Sequence, residues 1–270
     1  MEIIGRYIVL NNNITEFNKS NCLGNKVYEV LRVINGYPLF IEEHLYRLNN
    51  SLNKLDINIK TDLNQTISLI QELSDKNNIR EGNVYIEYSA GESINSLIHF
   101  IPHHYPNAYD YIKGVNTRTS NIERDNPEVK QTSVKHSINQ QIKELINEYN
   151  IYEVLLVNND GCITEGSRTN VFFIKNNSIY TAPKEQVLSG ITRQKAIQLC
   201  HELSISVNEE SIPIGNLENY DAAFLTGTSP KILPVAMVNH FQYNMKLPIL
   251  QKLINGYDQM ISNYIALNTK

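Results

Sequence analysis

The chain has 270 residues, 41% of them hydrophobic, with a formal net charge of −4. That is length for one large domain or two modest ones, with apolar material for a sizeable core. The mild acidity, with the two signs well mixed, gives no electrostatic case for nucleic acid or an anionic membrane as partner. Three cysteines, Cys22, Cys162 and Cys200, fit neither a zinc site nor a disulfide framework, and so point to a reducing compartment. No basic-then-apolar leader opens the sequence, and no apolar run approaches bilayer length. The expectation is a soluble cytoplasmic protein.

Val27–Ile41 reads as a hairpin turning at Asn35-Gly36. Leu45, Leu48, Leu52 and Leu55 then recur at helical spacing, and Thr61-Asp62 opens a second helix with Leu63, Ile67, Ile70 and Leu73 inward. Two strand-like runs follow, at 83–89 and 96–101. Two prolines between 102 and 111 suggest a linker, so the expected division is a smaller α/β domain at 1–108 and a larger one at 109–270. In the second part, a strand is expected over 111–119, a polar loop over 121–127 and a helix over 137–148. Strands are expected at 152–157, 162–164, 170–174 and 178–181, a helix at 190–203, a strand at 222–225 and a C-terminal helix from Leu247. The fold class is α/β (α+β).

Four short segments carry the chemistry. Gly190-Ile191-Thr192-Arg193 opens a helix whose first amides have no partner within it, so they are suited to an anion. An ordinary helix start is the commoner meaning of such a tetrapeptide. Thr228-Ser229 follows a short strand and offers hydroxyls and amides; a plain loop is its bland meaning. Arg47 lies beside the apolar stripe of the first helix, suited either to a surface ion pair or to a half-buried phosphate contact. Glu165 precedes Gly166 in an expected turn. A carboxylate fixed there would hold a pyridine nitrogen protonated by raising its pKa, whereas a solvated turn residue is the plain alternative. The histidines, with His99, His103 and His104 nearest to a cluster, lack the partners a metal site needs.

In this order, His-Leu-Tyr-Arg-Leu (44–48), Thr-Glu-Gly-Ser-Arg-Thr-Asn (164–170), Leu-Ser-Gly-Ile-Thr-Arg (188–193) and Leu-Thr-Gly-Thr-Ser-Pro (225–230) resemble the fold-type IV pyridoxal-phosphate enzymes, or class IV aminotransferases. That group includes branched-chain and D-amino-acid aminotransferases and aminodeoxychorismate lyases. The likeness runs from about Val27 to Val235. It implies two α/β domains with pyridoxal 5'-phosphate at their interface, usually in a homodimer. It implies Arg47, Ile191, Thr192 and Thr228 as phosphate contacts, Glu165 at the pyridine nitrogen, Ser229 in the substrate-carboxylate turn and Tyr28 as a pocket wall. For the Schiff-base lysine, Lys130 fits the family spacing better, with Lys135 as the alternative; an ordinary surface lysine is the default for both. Tyr85-Ile86-Glu87 departs from the Tyr-Ile-Arg of branched-chain enzymes, and no Arg-x-His of the D-amino-acid enzymes occurs at 91–95. The implied activity is transfer of an amino group between an amino acid, branched-chain-like or D-configured, and a 2-keto acid. Aminodeoxychorismate lyase and a non-catalytic cofactor-binding homologue are the alternatives.

Overall fold

The computed structural model describes residues 2–17, 25–90, 95–123 and 136–269. The chain forms two compact units. The first holds residues up to His104 together with the C-terminal residues from Met260, and the second holds the described residues between.

The first unit is a six-stranded antiparallel sheet with two helices on one face. Its strands are β1 (Ile4–Leu10), β2 (Asn13–Glu16), β3 (Asn25–Ile34), β4 (Tyr37–Pro38), β5 (Gly82–Ala90) and β6 (Asn95–Ile101), in the order β2-β1-β6-β5-β3-β4. The sequence did not suggest the first two strands: β1 ends in an unbroken apolar run, Tyr7 to Leu10, with no alternation, and β2 is only four residues long with Ile14 as its one apolar side chain. The expected hairpin is present, turning at Asn35 and Gly36, which both take positive φ (54° and 81°). Its second arm is only two residues long, because the chain enters helix α1 (Ile41–Lys54) at once. Helix α2 (Leu63–Asn77) begins at Asp62, whose side chain accepts from Gln65 N–H at 2.7 Å.

Val27, Leu31, Val33, Val84, Ile86, Ile98 and Phe100 of the sheet pack against Ile41, Leu45, Leu48, Leu52, Ile70 and Leu73 of the helices. Each such fully buried side chain contributes roughly 1.5–3 kcal/mol. Helix α1 starts under constraint: Phe40 at its N-cap has φ 54° and ψ 41°, a left-handed conformation uncommon for a bulky residue. Tyr264 stabilises this start. Its hydroxyl accepts from Ile41 N–H (3.3 Å) and donates to Glu42 (2.6 Å), while its ring packs edge-on against Phe40 at 4.9 Å.

The second unit is built on a mixed ten-stranded sheet. Helix α3 (Ala108–Lys113) comes first, where the sequence suggested a linker and then strand. Asn107 and Asp110 form a reciprocal capping box that starts this helix despite the nearby prolines. Strand β7 (Val115–Ser120) and helix α4 (His136–Tyr149) follow, then β8 (Glu153–Val157), β9 (Cys162–Gly166), β10 (Asn170–Lys175) and β11 (Ser178–Thr181). Helix α5 (Ile191–Glu202) leads to β12 (Val207–Glu209), β13 (Ile212–Pro213), β14 (Ala222–Gly227), β15 (Lys231–Val238) and β16 (Phe241–Gln242). Helix α6 (Pro248–Asn268) is last.

The main path is β12-β11-β10-β14-β15-β7-β8-β9-β13, with β16 on β15. The sequence reading missed β15, in which Pro234 breaks the expected strand composition. Val171, Phe173, Ala223, Leu225, Leu233 and Val235 fill the core on one side. Among the described residues, no helix is long and apolar enough to cross a membrane.

Candidate active site

In the first unit, inward positions of β3 alternate as Val27, Glu29, Leu31, Val33, and Glu29 is the odd member. It is fully buried and faces α1. Arg47 donates to it twice, Nε to Oε1 at 2.7 Å and Nη2 to Oε2 at 2.6 Å. His44 Nδ1 lies 2.7 Å from Oε2. Burial alone would raise the Glu29 pKa. The Arg47 guanidinium and the His44 ring outweigh it and hold the carboxyl well below its usual range. This fork uses the Nε edge of the guanidinium and fixes its plane, so Arg47 is a buried, pre-oriented cation rather than a surface group. Glu29 was legible only as a carboxylate inside an apolar alternation. Tyr28, its neighbour in sequence, points to the opposite face of β3 and stacks on Tyr85 with centroids 5.1 Å apart.

In the second unit, Glu165 lies within β9, not in a turn as the sequence suggested, and is buried. Its placement depends on Glu153, the buried residue that opens β8. Glu153 Oε1 accepts from Val154 N–H and the Ser167 hydroxyl, and Oε2 accepts from Arg168 N–H and the Thr169 hydroxyl. These bonds clamp the tight turn 166–169. A Cβ on Gly166 would collide with Thr169 and Glu153, so the turn requires glycine. Asn170 then opens β10 beside Glu165.

Glu165 Oε2 accepts from Asn170 Nδ2 (3.1 Å) and from Leu188 N–H (3.0 Å). Asn170 Nδ2 also donates to Leu188 C=O (2.9 Å), which accepts Gly190 N–H as well (2.7 Å). Leu188 is therefore gripped at both backbone groups, and Gly190 sits so close over Asn170 that any Cβ there would overlap its Oδ1.

Helix α5 starts directly after this grip; its N-cap is Gly190, which has no side chain to cap it, and no acidic residue lies in its first turn. Ile191 and Thr192, both buried, supply the first amides, with the positive end of the helix dipole behind them. Arg193 anchors that turn from below: its Nη2 donates to Ala182 C=O (2.9 Å) and to Glu209 (2.7 Å). The motif arginine is thus a strut for the helix start, a role the sequence did not reveal.

Thr226 stands opposite Asn170 in the β10–β14 register, hence on the same face. Its hydroxyl is buried with no hydrogen-bond partner among the described residues. Thr228 and Ser229 occupy the half-buried turn between β14 and β15, which the Tyr111 hydroxyl closes by donating to Pro230 C=O at 3.0 Å.

The structure thus joins Glu165, Ile191 and Thr192 through Asn170 and Leu188, and places Thr228 and Ser229 just beyond Thr226 on the adjoining strand. Arg47 and Tyr28 belong to the other unit. Lys130 and Lys135 lie outside the described residues.

Residues 26–238 match the family described as amino-transferase class IV. The D-alanine aminotransferase of Bacillus licheniformis is 30% identical over 229 residues, 80% of either chain. Among solved structures, the branched-chain amino acid aminotransferase of Escherichia coli superposes with a TM-score of 0.85 at 20% identity, covering 95% of both chains. A putative 4-amino-4-deoxychorismate lyase from Legionella pneumophila superposes at 0.77 with 25% identity, covering 87% of this chain and 91% of the other. The ordered motifs, the fold and these relatives agree: the chain belongs to the class IV aminotransferases.

Proposed function

We propose that the protein is a pyridoxal-phosphate-dependent aminotransferase that moves an amino group between an amino acid and a 2-keto acid. The family uses pyridoxal phosphate, which when bound supplies an electron sink for the substrate carbon. The second unit offers groups suited to it. A helix start with glycine at its N-cap and a buried hydroxyl, that of Thr226, with no partner among the described residues favour a phosphate, and a buried carboxylate that accepts from the Asn170 amide and Leu188 N–H favours a protonated ring nitrogen.

In this reading, Ile191, Thr192, Thr228 and Arg47 hold the phosphate, and Glu165 accepts a hydrogen bond from the ring nitrogen and keeps it protonated. Tyr28 and Ser229 contact substrate. Lys130, or alternatively Lys135, carries the cofactor and then moves a proton at the substrate α-carbon, which requires its amine to be neutral. The functional domains are 1–108 and 109–270, assembled as a cytoplasmic homodimer. The observation that carries the reading is the clamp Glu165–Asn170–Leu188–Gly190, which fixes a carboxylate and an anion-binding helix start in one frame.

The D-alanine aminotransferase relative favours a small amino acid, D-configured, as donor. The test is a panel of L- and D-amino acids with pyruvate or 2-oxoglutarate as acceptor, read as new keto acid, beside pyruvate release from aminodeoxychorismate. Keto-acid formation dependent on an acceptor supports the proposal. Acceptor-independent pyruvate release from aminodeoxychorismate alone would move the chain to the lyase chemistry. Borohydride treatment and peptide mapping of the loaded protein identify the lysine, with Lys130 expected.

A further inference from the structure

Among the described residues, the non-glycine positions with positive φ are asparagine or aspartate except for Phe40, Ser204 and Lys231. Lys231 has φ 55° at the first position of β15. It pairs with Gly227 at the end of β14, so Thr228, Ser229 and Pro230 form the connecting turn. The left-handed residue that closes a three-residue hairpin loop is ordinarily glycine, because a Cβ there crowds the backbone. A lysine at that place is strained, and it persists only where its surroundings hold it.

The side chain shows what holds it. Lys231 Nζ donates to Asp258 Oδ1 on α6 at 2.5 Å and lies 5.3 Å from the centroid of the Tyr111 ring on α3. The Tyr111 hydroxyl in turn donates to the Pro230 carbonyl oxygen at 3.0 Å. Two helices of the second unit thus grip the two residues that follow Ser229. From the strand side, Gly227 lies so near Pro230 that an added Cβ would stand 3.1 Å from its Cγ. The Lys231 side chain is 24% exposed and that of Asp258 49%, so water screens the ion pair in part and it adds little stability of its own.

We infer that Lys231 is a positioning residue: by bridging α3 and α6 it fixes the Thr228–Ser229 turn for cofactor and substrate. The inference rests on the aminotransferase reading of Thr228 and Ser229. Left-handed strain and a partly screened ion pair offset one another, so the bridge sets geometry at little net gain in stability.

The test uses Lys231→Gly, which suits the backbone and removes the bridge, Lys231→Arg, which keeps a cation, and Asp258→Asn, which leaves the backbone at 231 alone. The double variant Lys231→Gly/Asp258→Asn closes a thermodynamic cycle. Unloaded Lys231→Gly should melt as wild type does. Its pyridoxal phosphate affinity, by absorbance titration, should fall about tenfold, and KM for the amino donor should rise about tenfold with kcat changed less. Lys231→Arg should recover most of that loss. Asp258→Asn should weaken binding in the same direction, and the double variant should bind no worse than Lys231→Gly. Without cofactor, hydrogen exchange at the Thr228, Ser229 and Lys231 amides should quicken several-fold in Asp258→Asn. A Lys231→Gly variant that binds pyridoxal phosphate as tightly as wild type overturns the proposal, whatever its melting temperature. So do additive losses in the double variant, an arginine variant no better than the glycine one, and unchanged exchange at the turn. Should wild type bind no pyridoxal phosphate, the aminotransferase reading fails, and the exchange rates decide separately whether the bridge holds the turn.

Discussion

Two buried carboxylates in this protein hold their neighbours by opposite means. Glu29 is paired with charge, forked to Arg47 and touched by His44. Glu165 accepts from neutral donors, the Asn170 amide and the Leu188 backbone. The first arrangement orients a cation and leaves the carboxylate's charge locally compensated. The second fixes a carboxylate without supplying a cation from those donors, suited to a positively charged ligand atom. Anchoring by a charge pair is strong and sensitive to the loss of either partner, whereas anchoring by neutral clamps depends on backbone fit.

The largest expected effect follows on the charged side. Glu29→Ala leaves the Arg47 guanidinium buried without its fork, and should cost about 3–5 kcal/mol in urea unfolding. Wild type should also lose stability in acid. The Glu29 carboxyl is depressed in the folded protein, so its contribution is full above its ordinary value of 4.5 and fades as pH falls below that. Glu29→Gln should flatten this acid limb in a plot of unfolding free energy against pH; an unchanged limb assigns it to other groups.

On the neutral side, Gly190→Val forces a side chain into Asn170 and should cost about 1–3 kcal/mol, with a matching loss of pyridoxal phosphate affinity by absorbance titration. Gly215→Ala, where the added Cβ meets none of the described residues within 4 Å, is the control and should leave that affinity unchanged.

The smallest effect discriminates best. Thr226→Val removes a buried hydroxyl with no partner among the described residues, so the unloaded protein should melt at the same temperature or slightly higher. Pyridoxal phosphate affinity should nevertheless weaken by roughly 1 kcal/mol if the hydroxyl serves the phosphate. A variant that melts lower and binds equally well would place Thr226 in the core alone.

The sequence made some of this design visible and concealed the rest for identifiable reasons. Helices α1, α2, α4, α5 and α6 followed from apolar spacing and caps, and β8, β10 and β11 from dense apolar runs between Asn-Gly-type turns. Strand β1 ends in an unbroken apolar run and β2 is four residues long, so neither shows a two-residue period, and α3 depends on a capping box that the surrounding prolines disguised. The motifs drew attention to Arg47, Glu165 and the start of α5. They contain Asn170 and Arg193 without revealing what these do, and they leave out Glu29 and Glu153; all four act by positioning other residues. Such partners lie 18 and 16 positions apart in the cases of Arg47 with Glu29 and Arg193 with Glu209, beyond any local pattern. Glu29 and Glu153 share one usable signal, a carboxylate within an otherwise apolar strand.

A structure of the protein with pyridoxal phosphate bound tests the central claim most directly. The account predicts the pyridine nitrogen on the Glu165 carboxylate, and the phosphate against the Ile191 and Thr192 amides and the Arg47 guanidinium. A ring bound elsewhere, or a phosphate away from the start of α5, would contradict it.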